Sequence, residues 1–383
     1  MMRNRALLFL YALVACATVA AGQSQPAGRA LFVGTYTGAD SKGIYAFRFD
    51  DRAGTLTPAG LVAETPSPSF LTLSHDGRTL FAVNEVSNYE GQRSGSVSSF
   101  TVDAASLKLT SINTQSSRGA DPCHLALDAT GRTLAVANYT GGNFALFPVA
   151  ADGKLGAASA VLEHAGDAPG PNQARQNGPH AHQVLFDPSN KFLLGVDLGL
   201  DRVFVYRFDA ARGSATPNDP PAAALPPGSG PRHLALEPGA KQAFVISELL
   251  STMTSFGWDA VTGRLTLRQS ASTLPADFKS QSSTAEVVVH PTGRFVYGSN
   301  RGHDSIAVFA VGANGQLRLV ETESTRGQTP RSFTIDPTGR WLLAANQKTN
   351  TIAIYRIDPA TGALSPSGPL VAAGAPVCLL FRP

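Results

Sequence analysis

The residues of this chain with the types to do chemistry are few: Pro179-His180-Ala181-His182, Arg232-His233, Cys123-His124, Ala285-Glu286, Glu248, Arg301 and Arg331. On an extended strand, side chains two apart share a face, so alternation sends His180 and His182 to the same side. Two imidazoles on one face could ligate a metal or exchange protons near neutral pH. Arg232 and Arg331 each follow a proline and stand five residues ahead of an acidic residue, Glu237 and Asp336. Such arginines either pair with a neighbouring carboxylate or grip a carboxylate or phosphate with both arms of the guanidinium. Glu248 has the same two readings, a structural partner or a carboxylate base.

These residues acquire a common position through an internal repeat. An apolar strand, a turn of the type Asp-Pro-Thr-Gly-Arg, a second apolar strand, a polar loop and a third strand recur along the chain. Asp336 to Arg340 leads into WLLAANQ, and His290 to Arg294 into FVYGSNR. Asp128 to Arg132, Ser74 to Arg78, Asp187 to Lys191 and Glu237 to Lys241 head the other copies. Proline presets φ in such a turn and glycine takes its left-handed position. Six residues beyond each turn's basic position stand Asn84, Asn138, Asp197, Ser247, Asn300 and Asn346, with Thr35 equivalent in a half-copy. A period of about fifty residues with four short strands is that of a propeller blade.

Seven units result, one of them split. Val377 to Phe381 has the pattern of an inner strand with nothing after it, and the N-terminal copy lacks an inner strand. Joining the two closes the ring and removes exposed sheet edges. The expected fold is therefore all-β, a seven-bladed propeller of four-stranded antiparallel blades over 28–383. In each blade the first strand starts, and the second ends, on one face of the disc. His180, His182, Arg232, His233, Glu286, Arg331 and Cys123-His124 start inner strands; Glu85, Tyr139, Asp197, Glu248, Arg301 and Gln347 close second strands. All converge on one mouth of the central channel. The repeated Asn residues read as hydrogen-bond partners of loop backbone.

Composition agrees. Hydrophobic residues are 43% of the chain and charged ones 15%, with 37 Gly and 26 Pro, which suits many tight turns. A formal charge of +3, scattered, excludes a nucleic-acid binder. Met1 to Arg5 is a basic n-region and Ala6 to Ala15 an apolar h-region, so 1–21 reads as an export signal. Val19-Ala20-Ala21 suits cleavage before Gly22 and a soluble periplasmic product. Leu13-Val14-Ala15-Cys16 suits cleavage before Cys16 and a lipid anchor on that cysteine. Cys123 and Cys378 fall on non-adjacent units and are expected to be free, buried thiols. G-x-S-x-G, HExxH and phosphate-loop patterns are absent.

Gly34-Thr35-Tyr36-Thr37-Gly38, Asp121-Pro122-Cys123-His124, Arg175-Gln176, Pro179-His180-Ala181-His182, Gly230-Pro231-Arg232-His233, Glu248-Leu249, Ser299 to Ser305 and Thr329-Pro330-Arg331 occur in an order and spacing that resemble the lactonase family of seven-bladed propellers. That family includes propeller-type 6-phosphogluconolactonase and the carboxy-muconate lactonizing enzyme. The resemblance implies a small-molecule lactone substrate. It puts the catalytic pair of the muconate enzyme on His182 and Glu248, and its two substrate-binding arginines on Arg232 and Arg301. Ser247 departs from the Asn or Asp of other blades. On this reading His182 and Glu248 share acid–base work, while Arg232, Arg301 and Arg331 hold an anionic group and the oxyanion. His180 supports them, no cofactor or metal is required, and the chain is a monomer or weak dimer. The alternatives are a lactonizing cycloisomerase, a lactonase holding a divalent cation with Glu248, Asp197, Asn138 and Asn300, and a non-catalytic propeller that binds a sugar acid or partner protein.

Overall fold

A computed structural model describes residues 28–164 and 170–383. The export signal and Cys16 lie outside the described residues. The strands form seven four-stranded antiparallel sheets, six of them built from consecutive strands. The seventh joins Pro376–Phe381 to Arg29–Thr35, Gly43–Asp50 and Thr55–Glu64, the split blade anticipated above. Each inner strand touches the inner strands of the next blade on either side, which closes the ring.

Local chemistry explains the hairpins between first and second strands. In three of them an aspartate is the organiser as much as Pro or Gly. Asp336 Oδ1 accepts the backbone N–H groups of Arg340 (2.9 Å) and Trp341 (2.8 Å), while Oδ2 accepts that of Thr338 at 3.0 Å. Asp128 and Asp187 repeat the pattern on Arg132, Thr133 and Thr130, and on Lys191, Phe192 and Ser189. Each carboxylate thus replaces the ladder partners that a tight turn leaves unmade.

The second strands are buried on both faces, which is why Leu80-Phe81-Ala82-Val83 and Leu342-Leu343-Ala344-Ala345 read as unbroken apolar runs. Their side chains pack across the gaps between blades. Phe81, Val83 and Val97 of one blade meet Leu125, Val136 and Phe147 of the next, and Leu31, Val33 and Phe49 meet Trp341, Leu343 and Ile354. At that last gap Trp341 donates from Nε1 to the carbonyl of Asp51 (2.8 Å). Gly54, at φ +68°, lies so close to its indole that a Cβ would fall 2.3 Å from the ring. Cys123 and Cys378 are free and buried.

Replacing Asp336 with Ala should lower stability by about 2–4 kcal/mol, since three backbone donors lose a charged acceptor. Urea unfolding checks this; a change within about 0.5 kcal/mol would show that Pro and Gly alone hold the turn.

Candidate active site

The inner strands carry the site through a repeated irregularity. Pro122 pairs with Asn138 and His124 with Ala137, leaving Cys123 as an additional residue. The same slip leaves over His182, Arg232, Arg331 and Val377 in four other blades, and one residue of Ala285–Glu286 in a fifth. A bulge takes its residue out of the alternation and re-aims the side chain. Here the residues at and next to it surround the channel axis. Cys123, Arg232, His233, Glu286, Arg331 and Val377, with Ser69, Phe70 and Glu85, line a narrow cavity of about 10 Å³. The expectation that simple alternation aligns His180 with His182 is corrected by this bulge: His180 precedes the strand and His182 is its additional residue. Both rings still reach Tyr139. His180 stacks on it with centroids 4.6 Å apart, and His182 meets it edge-on at 5.5 Å.

Glu248 is the electrostatic centre. Its Oε1 accepts from Arg175 Nη2 at 2.6 Å, and Oε2 lies 3.0 Å from Arg232 Nε and 2.9 Å from Arg301 Nη2. Burial would raise its pKa, but the charges of Arg301, Arg232 and Arg175 outweigh that and hold it at about 2. The carboxylate is therefore ionised at neutral pH, able to accept a proton only weakly and with none to give. Arg232 Nη1 also donates to the Ala285 carbonyl (2.7 Å), and Arg301 Nη2 to that of Thr284 (2.7 Å). Arg331 differs. Its guanidinium lies over the Tyr36 ring at 5.2 Å, and among the described residues no carboxylate comes within ion-pairing distance of it. Tyr36 donates its hydroxyl to Glu85, 2.8 and 2.9 Å from the two oxygens.

His182 is buried, and its pKa is driven well below the ordinary histidine value by desolvation first, then by Arg232, His233, Arg331 and Arg301. It is neutral. Its Nδ1 lies 3.8 Å from Cys123 Sγ, and no described residue hydrogen-bonds Nε2. Cys123 directs its thiol to the carbonyls of His182 and Ala181. Burial raises its pKa, so it is no nucleophile. His180 is half-buried, with Nδ1 3.2 Å from the Tyr139 carbonyl and Nε2 3.0 Å from Asn177 Oδ1.

The structure thus gathers Arg232, Glu248 and Arg301 in direct contact, with His182, His180 and Arg331 around them. It does not gather the proposed cation ligands. Asp197 bonds His164 Nδ1 (2.6 Å) and the backbone of His180, Gly199 and Leu200. Asn138 and Asn300 donate to the Ser117 and Thr273 carbonyls, on the connections that lead in from the preceding blades. Those side chains tie loops, as the repeated Asn were expected to, and the four-residue cation site is corrected accordingly. Among the described residues no group of three or more His, Cys, Asp or Glu is arranged to hold a metal.

Arg175 was missed in the sequence. It stands on the connection between Ala160–Glu163 and Ala181–Phe186, outside the repeat, and also donates to the Tyr139 hydroxyl at 3.0 Å. The signal was the widest interval between repeats, from Asn138 to Asp197, which marks an inserted loop. Beside the arginine cluster a broad depression of about 890 Å³ opens to solvent, lined by Arg301, Gln281, Ser282, Asp304, Lys348 and the half-exposed Leu250.

Fold and site together define a class: a closed seven-bladed propeller whose channel mouth concentrates guanidinium, imidazole and carboxylate groups. The family model described as "Lactonase, 7-bladed beta-propeller" matches residues 30–381, and the chain belongs to that family. It is 35% identical to the 6-phosphogluconolactonase of Bacillus subtilis over 91% of this chain and 97% of the relative. A 6-phosphogluconolactonase of Formosa agariphila is 34% identical over 87% of this chain and 94% of the relative. Among solved structures, the periplasmic gluconolactonase of Pseudomonas aeruginosa superposes with a TM-score of 0.87 at 36% identity, covering 93% of this chain and 99% of the other.

Glu248→Ala should cost about 3–5 kcal/mol in urea unfolding, because it leaves buried guanidinium groups unneutralised. Arg175, whose side chain is 39% exposed, should cost no more than about 1 kcal/mol when changed to Ala. Equal losses in the two variants would contradict this account of the cluster.

Proposed function

We propose that the chain is a lactone hydrolase that opens a sugar-acid lactone, of the 6-phosphogluconolactone type, at the mouth of the propeller channel. The observation that carries this reading is the neutral, buried His182 beside arginines held by Glu248, in a chain 35% identical to a 6-phosphogluconolactonase. His182 Nε2 takes a proton from a water, and the resulting hydroxide adds to the lactone carbonyl carbon. The oxyanion develops against the guanidinium groups of Arg232 and Arg301. The ring C–O bond then breaks, and the imidazolium returns its proton to the departing alkoxide. Glu248, kept ionised by three arginines, does not deliver that proton; it holds Arg232 and Arg301 in place. Arg331, with no carboxylate partner among the described residues, supplies a cation for the substrate's own anionic group, and His180 orients Tyr139 at the rim.

The leader sequence and the periplasmic gluconolactonase among the similar structures support export. The two relatives named for a phosphorylated lactone and the periplasmic neighbour make the phosphate the specificity question. A pH-stat screen of gluconolactone and 6-phosphogluconolactone, with and without EDTA, tests the reading. Turnover of at least one lactone, unaffected by chelator, is expected; no turnover across the panel would overturn it.

His182→Ala should reduce turnover by roughly 10²–10⁴-fold, the usual range for a lost general base. Because its pKa lies well below the ordinary 6.5, the base stays unprotonated through mildly acidic pH. The acid limb of kcat/KM belongs below pH 6.5, and a limb at or above that value would exclude His182 as its source.

A further inference from the structure

The narrow axial cavity contains a carboxylate that the proposed mechanism does not use. Glu286 stands at the inner-strand bulge of its blade, with its amide N–H given to Ser299 Oγ at 3.0 Å. Its Oε1 is held twice, 2.8 Å from His233 Nδ1 and by the Val287 N–H at 3.0 Å. No described residue hydrogen-bonds Oε2, and Glu286 lines the cavity together with Arg232 and Arg331. His233 Nε2 in turn lies 3.5 Å from Arg232 Nη1. A guanidinium cannot accept a hydrogen bond, so Nε2 is the acceptor and Nδ1–H is directed at Glu286. A carboxylate, an imidazole and a guanidinium are therefore connected in series, ending at the arginine that contacts Glu248.

We propose that Glu286, anchored by His233, sets the charge of the axial cavity and thereby makes the binding of an anionic substrate group dependent on pH. This deepens the proposed function, since it rests on the arginines binding an anion. Other charged or titratable groups face Glu286 from each neighbouring element. Arg232 and His233 come from one side, Arg331 from the other, and His124 and Cys378 from across the axis; Glu85 and Cys123 share its cavity. The imidazoles do not titrate near neutrality. His124, His182 and His233 all lie well below the ordinary histidine value, chiefly through desolvation. Glu286 moves the other way: burial pushes it up to about 7, against the opposing pull of Arg232, the Val287 N–H, His124 and Arg331. Below that pH it is neutral, and the charge of Arg331 and Arg232 is fully available to an anion. Above it, the carboxylate cancels part of that charge and repels the ligand. By reciprocity a bound anion raises the pKa of Glu286 further.

Sulfate is the probe, because it does not itself titrate between pH 6 and 8, and its affinity is read by calorimetry at constant ionic strength. In the wild-type protein the affinity should fall about fivefold from pH 6 to pH 8, the part of a one-unit change in pKa between free and bound states that this window spans. Glu286→Gln, which keeps the hydrogen bond from His233 without the charge, should hold the pH 6 affinity at both values. His75→Gln, on the Ser74 to Arg78 hairpin at the opposite end of the strands from the mouth, should retain the wild-type dependence. Sulfate that binds the wild type equally at pH 6 and pH 8 would overturn the role of Glu286 and leave the anion-binding arginines standing. So would a dependence that survives in Glu286→Gln or disappears in His75→Gln. Absence of sulfate binding at either pH would overturn both. The wild-type comparison decides even if Glu286→Gln does not fold.

Discussion

Four guanidinium groups cannot be collected at one end of a channel without a counter-charge in the right place. Arg175, Arg232 and Arg301 find theirs in Glu248, which lies within 3.0 Å of each. Desolvating a carboxylate and three cations separately would cost several kcal/mol per ion. Sharing two oxygens among three donors offsets that cost, and in doing so it sets the direction of each guanidinium. The arrangement is held from behind as well: the Ala285 and Thr284 carbonyls accept from Arg232 and Arg301. The cationic surface at the mouth is thus rigid before any ligand arrives, which is the condition under which fixed charges stabilise a developing oxyanion most. Arg331 has no such partner among the described residues.

The backbone makes this possible through one irregularity repeated around the ring. A bulge at the second position of an inner strand takes one residue out of the ladder and turns it towards the axis. Closure then gathers those residues from most of the chain, so Cys123, His182, Arg232 and Arg331, far apart in sequence, border a common space. The inter-blade cores bear the stability. Phe81 against Phe147 and Phe49 against Trp341 lie along second and third strands, before the strand ends that reach the mouth. Packing and chemistry are separated along the strands.

Most of the architecture was legible because turn chemistry and spacing repeat. Asp336-Pro337-Thr338-Gly339-Arg340 and its copies set the hairpins, and the orphan strand Val377 to Phe381 required the ring to close on the N-terminal strands. The mouth residues were legible for the same reason, since equivalent repeat positions must face equivalent places. What escaped has physical causes. Period-two alternation carries no trace of a bulge, so the shared face assumed for His180 and His182 was the wrong geometry even though both rings reach Tyr139. Arg175 lies on an inserted loop where the repeat has no register to lend. The cation alternative failed because Asn138, Asp197 and Asn300 occupy the strand-end position whose partners are backbone groups of adjoining loops, one residue short of the position that faces the axis.

That one-residue offset carries a further consequence. In every blade but that of Ser247, whose hydroxyl has no hydrogen-bond partner among the described residues, the strand-end side chain ties backbone, and the next residue, such as Tyr36, Glu85, Tyr139, Glu248 or Arg301, is released to the mouth. A blade can therefore change what it presents to a ligand without disturbing the bonds that hold its loop. The bulge position has the same freedom, holding thiol, imidazole, guanidinium or, at Val377, an alkyl group on the same backbone. The strand-end neighbour in each blade, with the bulge position in six of them, makes a channel mouth whose charge pattern is set independently of the fold. In this chain that pattern places a permanent anion, Glu248, among the arginines and a carboxyl near its midpoint at neutral pH, Glu286, beneath them. The first keeps the cations in position, and the second sets how much of their charge a ligand meets.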